Sequence, residues 1–261
     1  NWSVQGSFRY SPAIPSLSAL TDNPQQTTPY LISNGNPDLK VAENFLYTIG
    51  ADYTYKKFQA SFRSAFANTS HCAISDITYL GDGLFLSQTV NAKYRRVFQN
   101  DLTLRVSGIH GFGVSLYMCL AHYQTAGVDW SHKLTSFDGS INIWWNKGPF
   151  TITYWRKLPG KYLSGRYVGK EENGDALGFE WQPDKHWTVG ANWMYMFDRK
   201  GTRYPAWNYS SVNPSYRERY IKNNGNMVVI SASYSADFGS IFRIARRNLN
   251  NSDNGSSLLK F

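Results

Sequence analysis

The fold of this chain is decided by residues 45–66, which read FLYTIGADYTYKKFQASFRSAF. Apolar or aromatic side chains recur at every second position on both sides of the Lys56-Lys57 pair, and mostly polar or small residues lie between them. Successive side chains of a β-strand point to opposite faces, so this alternation predicts two strands that each have one apolar and one polar face. The two lysines are then the turn of an antiparallel hairpin.

The same alternation extends through the rest of the chain. Residues 2–10 place Trp2, Val4, Phe8 and Tyr10 on one face and polar side chains on the other. Gly81-Asp82-Gly83 predicts a further hairpin turn. In all we predict about ten strands of the length that a tilted membrane crossing needs. Beyond those named above, they lie around residues 74–80, 84–98, 102–118, 137–145, 150–154, 177–181, 187–195 and 228–238.

The connections between these strands alternate between very short and very long. Tight turns are predicted at Lys56-Lys57, Asn100-Asp101, Asn146-Lys147-Gly148 and Pro183-Asp184-Lys185, and long polar loops at 11–42, 156–174 and 197–225. A transmembrane barrel has short turns at its periplasmic end and long loops outside the cell. The rhythm therefore predicts an all-β fold, an antiparallel transmembrane β-barrel.

Composition is compatible with this interpretation. Aromatic residues make up 16% of the chain, yet the mean hydropathy is only −0.44, as expected for sheets with unlike faces. No stretch approaches the roughly 18 consecutive apolar residues of a spanning helix. Five aromatic residues near strand ends are predicted to form a belt at the membrane interface. They are Trp144, Trp145, Phe150, Trp181 and Trp187.

The residues that could carry chemistry do not form a recognisable catalytic or metal-binding pattern. The five histidines have no ligand spacing, and Glu171-Glu172 are adjacent in a loop, where solvated charges are expected. No phosphate-binding loop or nucleophile elbow is visible. We therefore predict a protein that is not an enzyme, with no catalytic residues, no metal and no cofactor.

The formal net charge of +9 indicates anionic partners in general. The basic residues lie in turns, loops and the tail, and do not cluster beside stacking aromatics as in RNA-binding sheets. We therefore predict no nucleic-acid partner and expect the external cations to meet lipid phosphates or solvent.

One aromatic and cationic group between the last two predicted strands is a candidate contact surface for a ligand or a protein partner, because recognition concentrates on loops. The alternative is that these side chains pack the loop or lie among lipid headgroups. The group consists of Arg203, Tyr204, Trp207, Tyr209, Tyr216 and Arg217.

Three segments carry a family resemblance. Residues 35–40 read GNPDLK and lead into the strand that opens at Glu43-Asn44-Phe45. Residues 159–165 read PGKYLSG, and residues 220–239 run through the last predicted strand toward a tail around 248–253. In this order they resemble the C-terminal barrel portion of TonB-dependent outer-membrane receptors of the Bacteroidetes type.

That resemblance implies a plugged barrel of about 22 strands in the bacterial outer membrane. Residues 1–239 would be the C-terminal part of the barrel, and 240–261 a basic periplasmic tail. The implied partners are outer-membrane lipid and lipopolysaccharide, an upstream plug domain with the remaining strands, a TonB-type energy-coupling protein and a surface lipoprotein. Residues 1–10 and 226–238 would be open sheet edges.

The expected function is therefore the wall and extracellular loops of an energised nutrient-import receptor. Two alternatives stay open at this point. One is a soluble or surface-attached β-sandwich that binds glycans, and the other is a complete, small ten-stranded outer-membrane barrel.

Overall fold

The computed structural model describes residues 1–197 and 202–236, and nearly all regular structure within these ranges is β-strand. Helix in the described ranges is limited to α1 (Leu17–Leu20) and a short 3-10 turn (Lys222–Asn224). In chain order the strands are β1 (Trp2–Ala13), β2 (Gln25–Thr28), β3 (Leu31–Asn34), β4 (Ala42–Tyr55), β5 (Phe58–Ser70), β6 (Ala73–Gly81), β7 (Leu84–Asn91), β8 (Tyr94–Ile109), β9 (Phe112–Ala126), β10 (Ser131–Lys147), β11 (Phe150–Leu158), β12 (Lys161–Ser164), β13 (Tyr167–Lys170), β14 (Gly174–Trp181), β15 (Trp187–Met194), β16 (Thr202–Asn208), β17 (Ser215–Ile221) and β18 (Met227–Tyr234).

The described strands form three sheets. The largest has ten strands in the order β1-β4-β5-β8-β9-β10-β11-β14-β15-β18, and every neighbouring pair is antiparallel. The two smaller sheets have the orders β12-β13-β16-β17 and β2-β3-β7-β6. We call these two sheets, together with α1, the loop layer, because all their strands lie in connections between strands of the large sheet.

Four short connections gather at one end of the large sheet, here called the turn end. They join β4 to β5, β8 to β9, β10 to β11 and β14 to β15. At the opposite end, the loop end, four connections carry the loop layer and one connection is short, the segment 127–130 between β9 and β10. The predicted turns at 56–57, 146–148 and 183–185 agree with this arrangement.

The turn predicted at Asn100-Asp101 is wrong. Both residues lie inside β8 and pair with Leu120 and Cys119 of β9. The reason is that Asp101 is satisfied within the sheet, where it accepts hydrogen bonds from Tyr117 Oη at 2.8 Å and from Gln99 Nε2 at 3.0 Å. The chain instead turns at His110-Gly111, both of which have positive φ.

Strand membership also differs from the prediction in the middle of the chain. The hairpin at Gly81-Asp82-Gly83 exists as β6 and β7, but it belongs to the loop layer and not to the large sheet. The predicted loops 11–42, 156–174 and 197–225 contain strands β2, β3, β12, β13, β16 and β17. The described residues contain 18 strands, and the ten strands of the large sheet do not correspond one by one to the predicted strands.

The register gives the large sheet two unlike faces. Paired rows such as Trp2 with Tyr53, Phe8 with Tyr47, and Trp193 with Val228 form the apolar face. Val4, Ile49 and Ile230 on this face are 76%, 63% and 77% exposed. Polar and small side chains such as Ser7 with Thr48, and Gly50 with Arg63, form the polar face. No second sheet covers these three apolar side chains within the described residues.

Several buried residues lie on the other side, under the loop layer. Thr125 is 1% exposed, Ser136 is 7% exposed, and both belong to the polar face of β9 and β10. The hairpin of β12 and β13 lies against these two strands, and its Leu163 is fully buried. The small core of the molecule is therefore where the loop layer meets the polar face.

The large sheet is open among the described residues, since β1 and β18 each have one neighbour and do not pair with each other. The predicted barrel is thus not closed within these ranges. Phe238 and Gly239 of the predicted last strand, and the predicted tail 240–261, lie outside the described residues. None of the described helices is long and apolar enough to cross a membrane.

Candidate functional site

A cavity of about 610 Å³ lies at the loop end of the large sheet, between the ends of β11 and β14 and the sheet β12-β13-β16-β17. We call it the loop pocket. Among the described residues that line it, five side chains are cationic, namely Arg156, Lys157, Lys161, Lys170 and Arg203. Three lining side chains are acidic, namely Glu171, Asp175 and Glu218, and three are aromatic, namely Phe197, Trp207 and Tyr216.

Strand pairing explains why these side chains meet. Trp207 of β16 is opposite Tyr216 of β17, and Arg203 is opposite Tyr220, so one face of this hairpin turns its rings and Arg203 toward the pocket. The rings of Trp207 and Tyr216 are 5.5 Å apart between centroids. Lys161 and Lys170, on β12 and β13, are direct cross-strand neighbours and contribute two ammonium groups.

Two of the five cations are already neutralised by carboxylates. Lys157 Nζ lies 2.7 Å from Glu171 Oε2, and Arg203 Nη1 lies 3.9 Å from Glu218 Oε1. The remaining three have no carboxylate oxygen within 4 Å among the described residues. Arg156 lies over the Phe197 ring at 5.1 Å, and Lys161 lies over the Trp207 ring at 4.8 Å. The pocket therefore carries an excess of positive charge.

Asp175 lines the pocket and is held by a backbone hydrogen bond. It is 6% exposed, and its Oδ1 accepts a hydrogen bond from Met196 N at 2.7 Å. Nearby, Tyr195 Oη donates to Glu172 Oε1 at 2.8 Å. Burial, followed by this bond to Glu172, raises the pKa of Tyr195 to about 12, so its hydroxyl remains a donor at neutral pH.

The structure divides the six predicted contact residues. Arg203, Trp207 and Tyr216 line the loop pocket. Tyr204 and Arg217 belong to the opposite face of the same hairpin. Tyr209 follows β16 and lies against His132, with ring centroids 5.5 Å apart.

Sequence reasoning missed the contribution of β12 and β13 to this site. Residues 161–170 read KYLSGRYVGK, in which two lysines flank a short hairpin. The sequence signal for this hairpin was the central Gly165. It occupies the first position of a two-residue turn and has a φ of +60°. Because residues 156–174 were predicted to be a long polar loop, the sequence did not predict that Lys161 lies opposite Lys170.

The predicted interface aromatics are divided by the sheet as well. Trp145, Phe150, Trp181 and Trp187 lie at the turn end on the apolar face, where Trp145 pairs with Phe112 and Trp187 with Tyr234. Trp144 belongs to the polar face. Its ring lies across Gly113, where a Cβ would come within 2.2 Å of it, and under the Arg105 guanidinium at 5.0 Å.

A second polar centre joins the two sheets of the loop layer. Arg166, in the turn between β12 and β13, reaches Asp76 of β6 with a 2.9 Å ion pair and Asp129 with one of 3.5 Å. Its guanidinium also lies 5.1 Å from the Trp130 ring. Thr125 Oγ1 donates to Gly165 O at 2.7 Å and fixes the same turn to β9.

The GNPDLK segment has a structural role here. A Cβ at Gly35 would lie 2.1 Å from Thr21 O, so only glycine fits beside the end of α1. Asn36 donates from its Nδ2 to Thr89 O at 3.0 Å, and its Oδ1 accepts from Asp38 N at the same distance. The segment thereby ties α1 to β7 before the chain enters β4.

The described residues contain no group of three or more His, Cys, Asp or Glu side chains arranged to hold a metal ion. Another cavity, of about 750 Å³, lies beside α1 and is lined by small or uncharged polar residues such as Ser16, Asn23 and Gln88. The loop pocket is therefore the better candidate for recognising a charged ligand.

No family model, curated protein or solved structure matches this chain.

Proposed function

We propose that this chain forms part of the wall and the external loops of a bacterial outer-membrane receptor that imports a scarce nutrient, with energy supplied by a TonB-type protein. The observation that carries the proposal is the exposed apolar face of the large sheet. A water-soluble sandwich buries such a face against a second sheet. Val4, Ile49 and Ile230 are instead at least 63% exposed.

The dimensions of the apolar face fit a bilayer. From Phe45 near the loop end to Tyr53 near the turn end is about 27 Å of strand, at about 3.4 Å per residue. A strand tilt of about 40° reduces this to a height of about 21 Å, close to the roughly 25 Å apolar band of outer-membrane barrels. Aromatic residues at the turn end, among them Trp181 and Trp187, would lie at one interface.

The asymmetry of the two ends supports the import role. Short turns lie at one end, and the loop layer with its charged pocket lies at the other. Loops held on a rigid sheet are the usual place for ligand recognition. The pocket would then face the cell exterior and the turns would face the periplasm.

In this proposal the sheet belongs to a larger closed barrel of about 22 strands. Backbone groups left unpaired in hydrocarbon cost several kcal/mol each, so an open edge cannot persist in lipid. Further strands would therefore pair with β1 and β18, and a plug domain would fill the interior. Lipopolysaccharide and a surface lipoprotein are the proposed external partners.

Membrane insertion is tested by placing a charge on each face at adjacent positions. Ile49→Arg puts a cation on the apolar face, and Thr48→Arg puts the same cation on the polar face. We expect Ile49→Arg to destabilise the membrane-inserted protein by about 2–4 kcal/mol, as for arginine near the bilayer midplane. The change is measured by reversible denaturant unfolding in lipid vesicles. Equal effects at the two positions, or partition of the native protein into detergent-free buffer, would contradict the proposal.

Import is tested separately by the depletion of solutes from the growth medium. Cells that carry the gene should deplete at least one solute faster than cells without it, and a proton-motive-force uncoupler should abolish the difference. A difference that survives the uncoupler would indicate a passive pore.

A further inference from the structure

We propose that the loop pocket binds an acidic sugar, that is, a hydroxylated ring bearing a carboxylate or a phosphate group. This inference rests on the proposed function, because it names the class of ligand that the external loops would capture. It arises from four features of the pocket: two facing lysines, a set of acidic groups, a pair of aromatic rings and a suitable volume.

The facing lysines are the strongest feature. Lys161 and Lys170 are directly opposite each other in the antiparallel pair of β12 and β13. Like charges in this position destabilise a sheet. No carboxylate oxygen lies within 4 Å of either ammonium group among the described residues. A bound anion between them would offset the repulsion, and Arg156 would add a third cation at the rim.

The acidic residues indicate that the anion carries hydroxyl groups. Glu171 and Glu218 are each held by one cation, at 2.7 Å and 3.9 Å. Ionised carboxylates have about four acceptor positions, so each retains capacity to accept from a ligand hydroxyl. A lipid phosphodiester has no hydroxyl donor, inorganic phosphate has no more than two at neutral pH, and both would be repelled by these two side chains. The mixture of cations and acceptors therefore favours a hydroxylated acid.

The aromatic residues suit a ring-shaped ligand. Trp207 is half-buried, and the exposed ring of Tyr216 lies 5.5 Å from it and extends the apolar surface. One sugar-ring face is rich in C–H groups and can lie on such rings while its hydroxyls reach the polar groups. The volume of about 610 Å³ is within the range of small-molecule sites, about 300–1,000 Å³.

The proposal is tested by titration calorimetry on the purified protein in detergent, with four probes: glucuronate, glucose 6-phosphate, glucose and inorganic phosphate. Both acidic sugars should bind at least about tenfold more tightly than glucose, and the preference should weaken with salt. Each should also bind about tenfold more tightly than inorganic phosphate. The ratio of the two acidic sugars distinguishes a carboxylate from a phosphate ligand.

Matched charge-removing variants locate the site. Lys170→Gln should weaken binding of both acidic sugars about tenfold and leave glucose binding unchanged. Lys185→Gln removes the same charge from an exposed position at the turn end. It should change neither the binding of the acidic sugars nor the binding of glucose. In the absence of ligand, Lys170→Gln should increase amide protection in β12 and β13, because it removes the repulsion from Lys161. This second readout also shows that the variant is folded.

Several results would overturn the proposal. They are no binding of either acidic sugar, equal affinity for glucose and glucuronate, or equal behaviour of the Lys170 and Lys185 variants. Tighter binding of inorganic phosphate than of either acidic sugar would assign the pocket to a simple anion. Binding in detergent does not require insertion or import, so these results are independent of the Ile49 and uptake experiments.

Discussion

In the large sheet, side chains such as Ile49 and Ile230 lie exposed on the surface, whereas in the loop layer Leu163 and Val168 are buried. The loop layer thus follows the pattern of a water-soluble protein, and the apolar face of the sheet follows the reverse pattern. This reversal would be explained if the apolar face contacts lipid hydrocarbon and the loop layer contacts water, because apolar side chains are stable at a surface that faces hydrocarbon. The two regions should therefore respond differently to the same kind of mutation.

The largest effect is expected for removal of an apolar side chain. Leu163→Ala leaves a cavity beneath the loop layer and should cost about 3 kcal/mol. Ile230→Ala shortens a side chain that is 77% exposed, leaves no cavity in lipid and should cost only the lost transfer from water to hydrocarbon, about 2 kcal/mol. Denaturant unfolding of the vesicle-inserted protein measures both changes. A larger cost at Ile230 would mean that its face is packed against protein.

Arg166 is expected to hold the two sheets of the loop layer together. Arg166→Met leaves Asp76 without its ion-pair partner, and because Asp76 is partly exposed we expect a cost of about 2 kcal/mol. Arg203→Met, which breaks a longer and more exposed pair, is the control and should cost less than about 1 kcal/mol.

Hydrogen exchange locates the effect of the Arg166 substitution. Amides of β6 and of the β12–β13 hairpin should lose protection together, while those in the middle of β5 and β8 keep theirs. Loss of protection confined to β12 and β13 would show that the two small sheets are not coupled through this side chain.

A smaller effect is expected where the loop layer is attached to the large sheet. Thr125→Val removes the donor to Gly165 O at a buried position and should cost about 1 kcal/mol. Thr27→Val removes the same kind of bond, to Leu31 O, at an exposed position and should cost only a few tenths of a kcal/mol. Exchange rates of the Leu163 and Arg166 amides report the attachment, and equal effects of both variants would contradict a buried contact.

The smallest effect concerns a turn away from the loop layer. Asp184 Oδ1 accepts from His186 N at 2.8 Å and from Trp187 N at 3.0 Å, and these two bonds hold its pKa below the ordinary value of 3.8. A lowered folded-state pKa stabilises the turn above pH 3.8, and this stabilisation is lost as the pH falls through the folded value.

The Trp187 amide should therefore lose protection on acidification in the native protein. Asp184→Asn retains an acceptor oxygen but does not titrate. In this variant, protection of the Trp187 amide should therefore not change over the pH range in which Asp184 titrates. Identical pH profiles for the native protein and Asp184→Asn would remove Asp184 as the cause.

The sequence showed which face of a strand each side chain occupies. It was less informative about which side chains of other strands lie next to it. Alternation around Tyr47 and Phe62 correctly predicted a hairpin, because side-chain direction in a strand depends only on position. The turn at His110-Gly111 was missed since Asn100-Asp101 looked like a polar break. Nothing in the local sequence shows that Asp101 is hydrogen-bonded by Tyr117 from the next strand.

The candidate site was predictable only in part for a similar reason. Trp207 and Tyr216 attracted attention as aromatic loop residues, and they do line the pocket. Their separation from Arg217 required the register of β16 and β17, which places Arg217 opposite Ala206 on the other face. Lys170 lies in the site because of the β12–β13 hairpin. It is distant in sequence from Trp207, so composition does not reveal that the two residues line the same pocket.

The central claim, that the apolar face of the large sheet contacts hydrocarbon, is tested most directly by nitroxide scanning along β4. Single cysteines at positions 46–53 are introduced into a Cys72→Ser, Cys119→Ala background and labelled in lipid vesicles. Collision with oxygen, which concentrates in hydrocarbon, should be high at 47, 49, 51 and 53 and low at the intervening positions. Uniformly low oxygen access, or high access to a water-soluble nickel chelate at the odd positions, would contradict the account.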